Sequence, residues 1–273
     1  MNNKIKFVFF GSSRFSEFVL EELEAIGFSP ILKITDAKAP LPELPEADVF
    51  IVASFGKILP KEVIDSPKYG SFNVHPSLLP ELRGPAPIQG TILGQSEPGA
   101  TIIKMDAQMD HGPILAQEKV SITPWPDHYN TVEEKLGRAG GKLLTEILSK
   151  DWPWIETAQD DSKATYIKLI KTDDALINLD DSPEINLRKV FAYSTSPGAY
   201  FFHERKDGQK IRVRIIKAEL ENCDIENSLK IVPTESRGFS TEDVGKNCKL
   251  KILSVIPAGK KEMDWESFLR GNI

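Results

Sequence analysis

The sequence predicts a two-domain α/β protein, with an open, mostly parallel sheet in the N-terminal half and a small β-rich domain in the C-terminal half. Three observations carry that expectation. Strand-length apolar runs alternate with segments of helical period as far as Lys150. Beyond Ser196 the apolar runs become short and are separated by turn residues. The 273 residues also suit two domains at roughly 150 residues each.

Ile5–Phe10 is a continuous apolar run and reads as a strand buried on both faces. Gly11-Ser12-Ser13 follows as a tight turn. Phe15, Phe18, Val19, Leu23 and Ile26 then recur at helical spacing, and Gly27 ends that helix. Pro30–Ile34, Val49–Ala53 and Ser71–Val74 read as further strands, and Thr101–Met105 and Ile114–Ile122 continue the sheet or its edge. Thr131–Leu148 reads as a long helix with Leu136, Leu143, Leu144 and Ile147 as its apolar stripe. This rhythm implies a Rossmann-like sheet with helices on both faces. The stretch from Asp151 to Lys163 is mixed and polar and reads as the start of a linker. In the second half, Tyr200–His203 and Ile211–Ile216 flank the turn signal Asp207-Gly208, and Ser228–Val232 and Lys249–Ile256 are further short strands. With one helix near Glu184–Ala192, these elements suit a small, OB-like β-barrel. The expected limits are 1–155 for the first domain, 156–175 for the linker and 176–273 for the second domain.

Composition excludes several classes. Hydrophobic residues make up 40% and charged residues 27%, as in ordinary soluble globular proteins. No stretch approaches the roughly 20 apolar residues of a membrane span, and the N-terminal apolar run is too short for a signal peptide. The two cysteines, Cys223 and Cys248, form no CxxC pair and read as buried small hydrophobes, which fits a reducing cytoplasm. A net charge of −6 argues against bulk nucleic-acid affinity but leaves room for a local basic patch.

The chemistry concentrates in two stretches. Asn73 and His75 stand two apart at the end of a predicted strand, so their side chains share a face. Ligands of open parallel sheets bind beyond the carboxyl ends of the strands, and both residues lie there. Arg83-Gly84-Pro85-Ala86-Pro87 forms a constrained loop that continues the wall. Asp110 lies on the loop after the Thr101 strand, and reaches His75 if that strand neighbours the Ser71 strand. Asn, His and Asp converging on one point suit acyl or formyl transfer: amide and imidazole N–H groups donate to a developing oxyanion, and a carboxylate orients the ring and accepts a proton from an attacking amine. The residues alone leave other readings open. Asn73 fits a turn cap, His75 a satisfied buried histidine, and Asp110 a loop residue bonded to its own backbone.

A family resemblance narrows these readings. Asn73-Val74-His75-Pro76-Ser77-Leu78-Leu79-Pro80, Arg83-Gly84-Pro85-Ala86-Pro87-Ile88, Met105-Asp106 and Asp110-His111-Gly112-Pro113-Ile114-Leu115 together closely resemble the signature of folate-dependent formyltransferases. Ala53-Ser54-Phe55-Gly56-Lys57-Ile58-Leu59-Pro60 is similar to the family's folate-site segment. Ser162–Tyr166 with Lys168, Ser196-Pro197-Gly198-Ala199-Tyr200, Pro257–Lys261 and Phe268–Gly271 resemble the linker and C-terminal domain of the branch that formylates methionyl-tRNA. The resemblance implies that Asn73, His75 and Asp110 are catalytic. It places Ser77, Leu78, Leu79 and Pro80 on tetrahydrofolate, and Ile58 and Leu59 around the pterin with backbone groups near Gln108 and Met109. It implies 10-formyltetrahydrofolate as donor and initiator methionyl-tRNA as acceptor, with no metal; the sequence as a whole gives no sign of a membrane or of an obligate protein partner. A formyltransferase acting on an amino-sugar nucleotide would keep the same three catalytic residues.

Two departures stand out. Gly11-Ser12-Ser13-Arg14 replaces the family's usual Gly-Thr-Pro and acidic residue. The segment between Thr35 and Asp48 is short, where the family carries a longer basic loop expected to lie along the tRNA acceptor end. Lys38 is the one basic residue left there, and Pro40, Pro42 and Pro45 stiffen the segment. Basic residues cluster instead in the second half. Arg83 is expected at the substrate, and Lys206, Lys210, Arg212 and Arg214 at the tRNA, with Arg205 and Lys217 in the same stretch. In the Ile211 strand, Arg212 and Arg214 share one face and Ile211, Val213 and Ile215 the other.

Overall fold

The structure, a computed structural model, describes residues 5–150, 153–221 and 248–271. The chain forms two compact units. One comprises Met1–Thr91, Gln95–Ile122 and Asn130–Leu169, the other Ile92–Gly94, Thr123–Tyr129 and Ile170–Ile273.

The first unit is built on a six-stranded sheet of order β2-β1-β3-β4-β5-β6. Its strands are β1 (Phe7–Phe10), β2 (Leu32–Ile34), β3 (Val49–Val52), β4 (Ser71–His75), β5 (Gly99–Lys104) and β6 (Ile114–Lys119). The first four pair in parallel, and β5 and β6 run antiparallel to their neighbours. Every residue of β1 and β3 is buried, as continuous apolar runs flanked on both faces must be.

Successive side chains alternate between faces, so Phe7, Phe9, Ile51, Phe72 and Val74 share one of them. Helices α1 (Arg14–Ala25) and α4 (Tyr129–Leu148) lie on this side. Ser13 caps α1 in a reciprocal box with Ser16, and Gly27 follows with φ 83°. Helix α4 meets α1 and β4 through glycines: a Cβ on Gly137 would sit 2.9 Å from Phe18 Cβ, and one on Gly140 2.6 Å from Val74 Cγ1. The opposite face is covered differently. There Val8, Phe10, Phe50 and Val52 pack with Phe55, Leu59 and Ile64 under a coil carrying Ala37, Leu41, Leu44 and Ala47. Helix α2 (Lys61–Ile64) in that layer is a single turn. The stretch from Thr35 to Asp48 is too short and too rich in proline to cross over as a helix.

After α4, Trp154 donates Nε1–H to Ile147 O at 2.7 Å and sets its ring edgewise against Phe72 and Tyr69. The chain then runs along the first unit, pairing Thr157 with Ile114 and Tyr166 with Arg83. Residues 156–169, expected as linker, therefore group with the first unit; the expected start of the linker at 151–152 lies outside the described residues.

The second unit holds an antiparallel sheet of order β10-β9-β8-β7, made of β7 (Tyr200–Glu204), β8 (Lys210–Glu221), β9 (Lys249–Pro257) and β10 (Met263–Asp264). Helix α5 (Pro183–Ala192), capped by Ser182 with proline in its first turn, packs on β8 and β9. A short helix, α6 (Trp265–Gly271), buries Phe268 against Trp265 and His203. The strand expected at Ser228–Val232 lies outside the described residues, as does Cys223. Cys248 is disulfide-bonded, which corrects the expectation of a free buried thiol.

Candidate active site

Asn73 and His75 lie on the coil-covered face of the sheet, at the carboxyl end of β4, opposite Ile103 and Thr101 of β5. Because β5 runs antiparallel to β4, the loop after it leaves beside Ser71 and Phe72, at the amino end of β4, and comes back to Asn73 and His75 through Asp110. That loop is pinned at its base by Met105 N–H donating to Ser71 O at 2.7 Å and Lys104 N–H to Pro113 O at 3.0 Å. Its return is so tight that a Cβ on Gly112 would lie 1.8 Å from Lys104 O. A side chain at that position would displace the loop.

The loop delivers Asp110 to the side chains of Asn73 and His75. Asn73 Nδ2–H donates to Asp110 Oδ1 at 3.2 Å, and Gly84 N–H donates to Oδ2 at 2.8 Å. His75 Nδ1 stands 3.5 Å from Oδ1. The side chains of His75 and Asp110 are 4% and 10% exposed, so these contacts operate in a largely water-excluded setting. His75 Nε2 lies 3.1 Å from the Leu82 carbonyl oxygen. A carbonyl only accepts, so Nε2 carries a proton, and a proton on Nδ1 makes the ring an ion-pair partner of Asp110. All three predicted residues thus converge.

Among the described residues, three that are not glycine have positive φ: Ser54 at 47°, Leu82 at 59° and Asp110 at 55°. Two of them touch this cluster directly, Asp110 through its carboxylate and Leu82 through its carbonyl. Backbone held in this sparsely populated region costs on the order of 1–3 kcal/mol per residue, and such positions concentrate where function fixes the geometry.

The remaining expected residues fall into distinct surroundings. In the Ser77–Pro80 stretch, the buried Ser77 donates Oγ–H to Glu81 O at 2.6 Å, and Leu79 is also buried. Leu59 is buried, whereas Ile58 and Met109 are exposed at 82% and 58%, leaving apolar side chains open to solvent; Gln108 is exposed as well. Arg83, expected at the substrate, is only 2% exposed and faces inward. It donates to Gln159 Oε1 from Nε and Nη2 at 3.1 and 2.8 Å, to Asp161 Oδ1 at 2.8 Å and to the Tyr166 hydroxyl at 3.3 Å. Arg212 and Arg214 are half-buried on the face opposite Ile211, Val213 and Ile215. The Arg212 guanidinium lies 3.8 Å from the Tyr200 ring centroid and donates to Pro197 O. Lys206 and Lys210 are exposed near the β7–β8 turn.

Several residues that build the site carried no sequence signal. Thr101, fully buried, donates Oγ–H to Ser77 O at 2.6 Å and accepts from Leu79 N–H at 3.2 Å. Gln117 Nε2 donates to both Thr101 Oγ1 and Leu79 O at 2.8 Å. Together they fix the Ser77–Pro80 turn. Gln159 donates Nε2–H to the backbone oxygens of Asp110 and Gly112 at 2.9 and 2.8 Å. A charged chain adjoins it. His111 Nδ1 lies 2.8 Å from Asp106 Oδ2, and its Nε2 3.5 Å from Asp161 Oδ2. The hydrogen bond with Asp106 raises the His111 pKa above its ordinary value, against some desolvation. The hydrogen bond from Arg83 lowers that of Asp161. Burial opposes the charge on Arg83, but its bonds to Asp161 and Tyr166 prevail and raise its pKa.

Residues 18–148 match the Formyl transferase family, and residues 169–272 match Formyl transferase, C-terminal domain. The chain belongs to the formyltransferase family. Among its relatives, the methionyl-tRNA formyltransferase of Bacillus licheniformis is 38% identical over 229 residues, 83% of this chain and 71% of that one. The methionyl-tRNA formyltransferase of Wolbachia pipientis subsp. Culex pipiens is 43% identical over 230 residues, 82% and 70% of the two chains. The fold is shared with methionyl-tRNA formyltransferase from Clostridium thermocellum (TM-score 0.64, 16% identity, 80% of this chain and 94% of that one). It is also shared with HypX from Aquifex aeolicus in complex with tetrahydrofolic acid (TM-score 0.62, 16% identity, 98% and 47%).

Proposed function

We propose that this formyltransferase moves the formyl group of 10-formyltetrahydrofolate to the α-amine of methionine esterified to initiator tRNA, in the cytoplasm. The observation that carries the reading is the desolvated Asp110 carboxylate, held by Asn73 and Gly84 with His75 alongside. Relatives named methionyl-tRNA formyltransferase, at 38% and 43% identity, favour this acceptor over an amino-sugar nucleotide.

In this mechanism the neutral amine attacks the formyl carbon, a C–N bond forms and the carbonyl oxygen becomes an oxyanion. Asn73 Nδ2–H and a protonated His75 nitrogen donate to that oxygen; one such donor is worth about 3 kcal/mol. Asp110 accepts the proton released by the amine, directly or through a water. Collapse of the tetrahedral adduct returns the electron pair to N10 of the folate, which takes up a proton as the leaving amine. The apolar surfaces of Ile58 and Met109 suit a pterin ring, with Leu59, Gln108 and the Ser77–Pro80 turn completing its wall.

On this reading the first unit, which ends at Leu169, is catalytic, and the second, which holds the chain from Ile170 onward, is tRNA-binding. Lys206 and Lys210 supply phosphate contacts there, supported by Arg212 and Arg214. The test is formyl transfer from 10-formyltetrahydrofolate to charged initiator tRNA and, in parallel, to amino-sugar nucleotides. Formylmethionyl-tRNA is the expected product; formylation of the sugar nucleotide alone would overturn the assignment.

A further inference from the structure

We infer that Gln159, oriented by Arg83, is a positioning residue that sets the Asp110 carboxylate for proton transfer. The inference rests on the reading of Asp110 as proton acceptor and adds a residue 49 positions away in sequence. Asp110 holds its carboxylate against Asn73 and Gly84 with its backbone in the left-handed region, at φ 55°. Its own side chain is engaged elsewhere, so the conformation needs a hold on the backbone. Gln159 supplies it: one amide nitrogen donates to the carbonyl oxygens of both Asp110 and Gly112, at 2.9 and 2.8 Å. The two carbonyls flank His111 and are drawn to a single donor, which fixes the turn from both sides.

The direction of the Gln159 amide follows from its partners. Its other end, Oε1, accepts from Arg83 Nε and Nη2. A flipped amide would set its oxygen against two carbonyls and its NH₂ against a guanidinium, with every contact repulsive. Arg83 is itself fixed by Asp161 and Tyr166. Arg83 N–H also donates to Thr165 O, and Ile167 N–H to Arg83 O, both at 2.9 Å. The strap from Trp154 to Ile167 therefore carries Gln159 to the catalytic loop and is tied to the neighbouring wall at the same time.

The test is steady-state kinetics on Gln159→Glu and Gln159→Ala in the full chain, with crystal structures of both variants. Glutamate keeps the size of the side chain and the contact with Arg83 but turns an acceptor oxygen on two carbonyl oxygens. Alanine leaves those carbonyls free to take up water. The expected result is a fall in kcat with KM for both substrates unchanged. It is larger for Glu, on the order of 10²-fold, the effect of a misplacement near 1 Å. In the Gln159→Glu structure Asp110 should leave the left-handed region and separate from Asn73. A residue that only fills space or supports the fold gives the opposite ranking, with Glu close to wild type, and that ranking would overturn the inference. An unchanged Asp110 conformation in both variants would overturn it as well, whether or not the protein formylates methionyl-tRNA. Wild-type protein that forms no formylmethionyl-tRNA would instead remove the functional reading, while the crystal structures test the geometry on its own.

Discussion

Asp110→Asn is the substitution whose outcome the geometry constrains most tightly. It preserves shape and removes one charge. In the wild type two N–H donors approach different oxygens of the carboxylate, Asn73 at Oδ1 and Gly84 at Oδ2. An amide accepts at one end only, so either rotamer sets an NH₂ group against one of these donors. The loss of one charge-assisted hydrogen bond costs about 1.5–3 kcal/mol. If that whole cost fell on the transition state, it would slow turnover by about 10- to 150-fold at 1.4 kcal/mol per decade. Asparagine also cannot accept the proton of the attacking amine, and the loss of a positioned base costs about 10²–10⁴-fold. The second effect is the larger and sets the expectation: kcat for methionyl-tRNA falls by about 10²–10⁴, KM for the folate stays near wild type, and urea unfolding remains cooperative. Single-turnover formylation under saturating donor, beside an equilibrium unfolding curve, measures both. A variant that turns over within a factor of ten of wild type would refute the argument, because some group other than Asp110 would then be taking the proton.

Three further expectations follow from particular contacts. Thr101→Val removes the hydroxyl that joins Ser77 O, Leu79 N–H and Gln117; stability should drop by about 1–3 kcal/mol and KM for the folate should rise, with unchanged KM arguing against the Ser77–Pro80 turn as folate wall. His111→Gln tests the charged chain. The His111 pKa lies above its ordinary 6.5, so its contribution is complete below that pH and fades as pH rises through the raised value. Asp161 is held below its ordinary 3.8 and stays ionised throughout the window from about 4 to 6.5. The stability gap between wild type and variant should therefore be widest there and close at alkaline pH; a gap independent of pH would remove the ion pairs from the account. Reversing Lys206 and Lys210 to Glu should flatten the salt dependence of tRNA binding by roughly 0.7 to 0.9 in log–log slope per lost phosphate contact, while an unchanged slope would mark a merely solvated turn. The same reversal at Arg212 would read poorly, because its guanidinium also covers Tyr200.

The strands and the catalytic pair were legible in the sequence because their physics is periodic. Phe7–Phe10 and Val49–Val52 are unbroken apolar runs, and Asn73 and His75 differ by the two-residue repeat of a strand. Asp110 was legible only conditionally, since its approach depends on β5 pairing with β4. Gln159 was hidden because it lies in a polar stretch and acts on backbone carbonyls, which leave no mark in side-chain pattern. Thr101 and Gln117 looked like ordinary strand residues, and their hydroxyl and amide matter only through a turn closed far along the chain. Helix α3 (Pro87–Ile92) begins at the last residue of the expected Arg83–Pro87 loop and drew no helix reading, although Pro87 occupies the favoured first helical position; Pro85 and Gly90 obscured it. At the sheet's second face Pro40, Pro42 and Pro45 mark a stiff, short segment, and the structure shows it as coil.

That coil bears on how the first unit breathes. A crossover helix carries its own ladder of backbone bonds, whereas local support between Thr35 and Asp48 includes the Asp36 carboxylate accepting from Lys38 and Ala39 N–H and a tether from Lys57 to Ala39 O. Its grip on Phe10, Phe50 and Phe55 depends on the partly buried side chains of Ala37, Leu41, Leu44 and Ala47. Segments so held open at free energies below that of global unfolding, so amide protons here should exchange with solvent before those of β1 and β3. Each opening uncovers the aromatic layer next to the strand ends that carry the chemistry. The prolines limit the excursion, because a chain with fewer accessible conformations loses less entropy when it closes again.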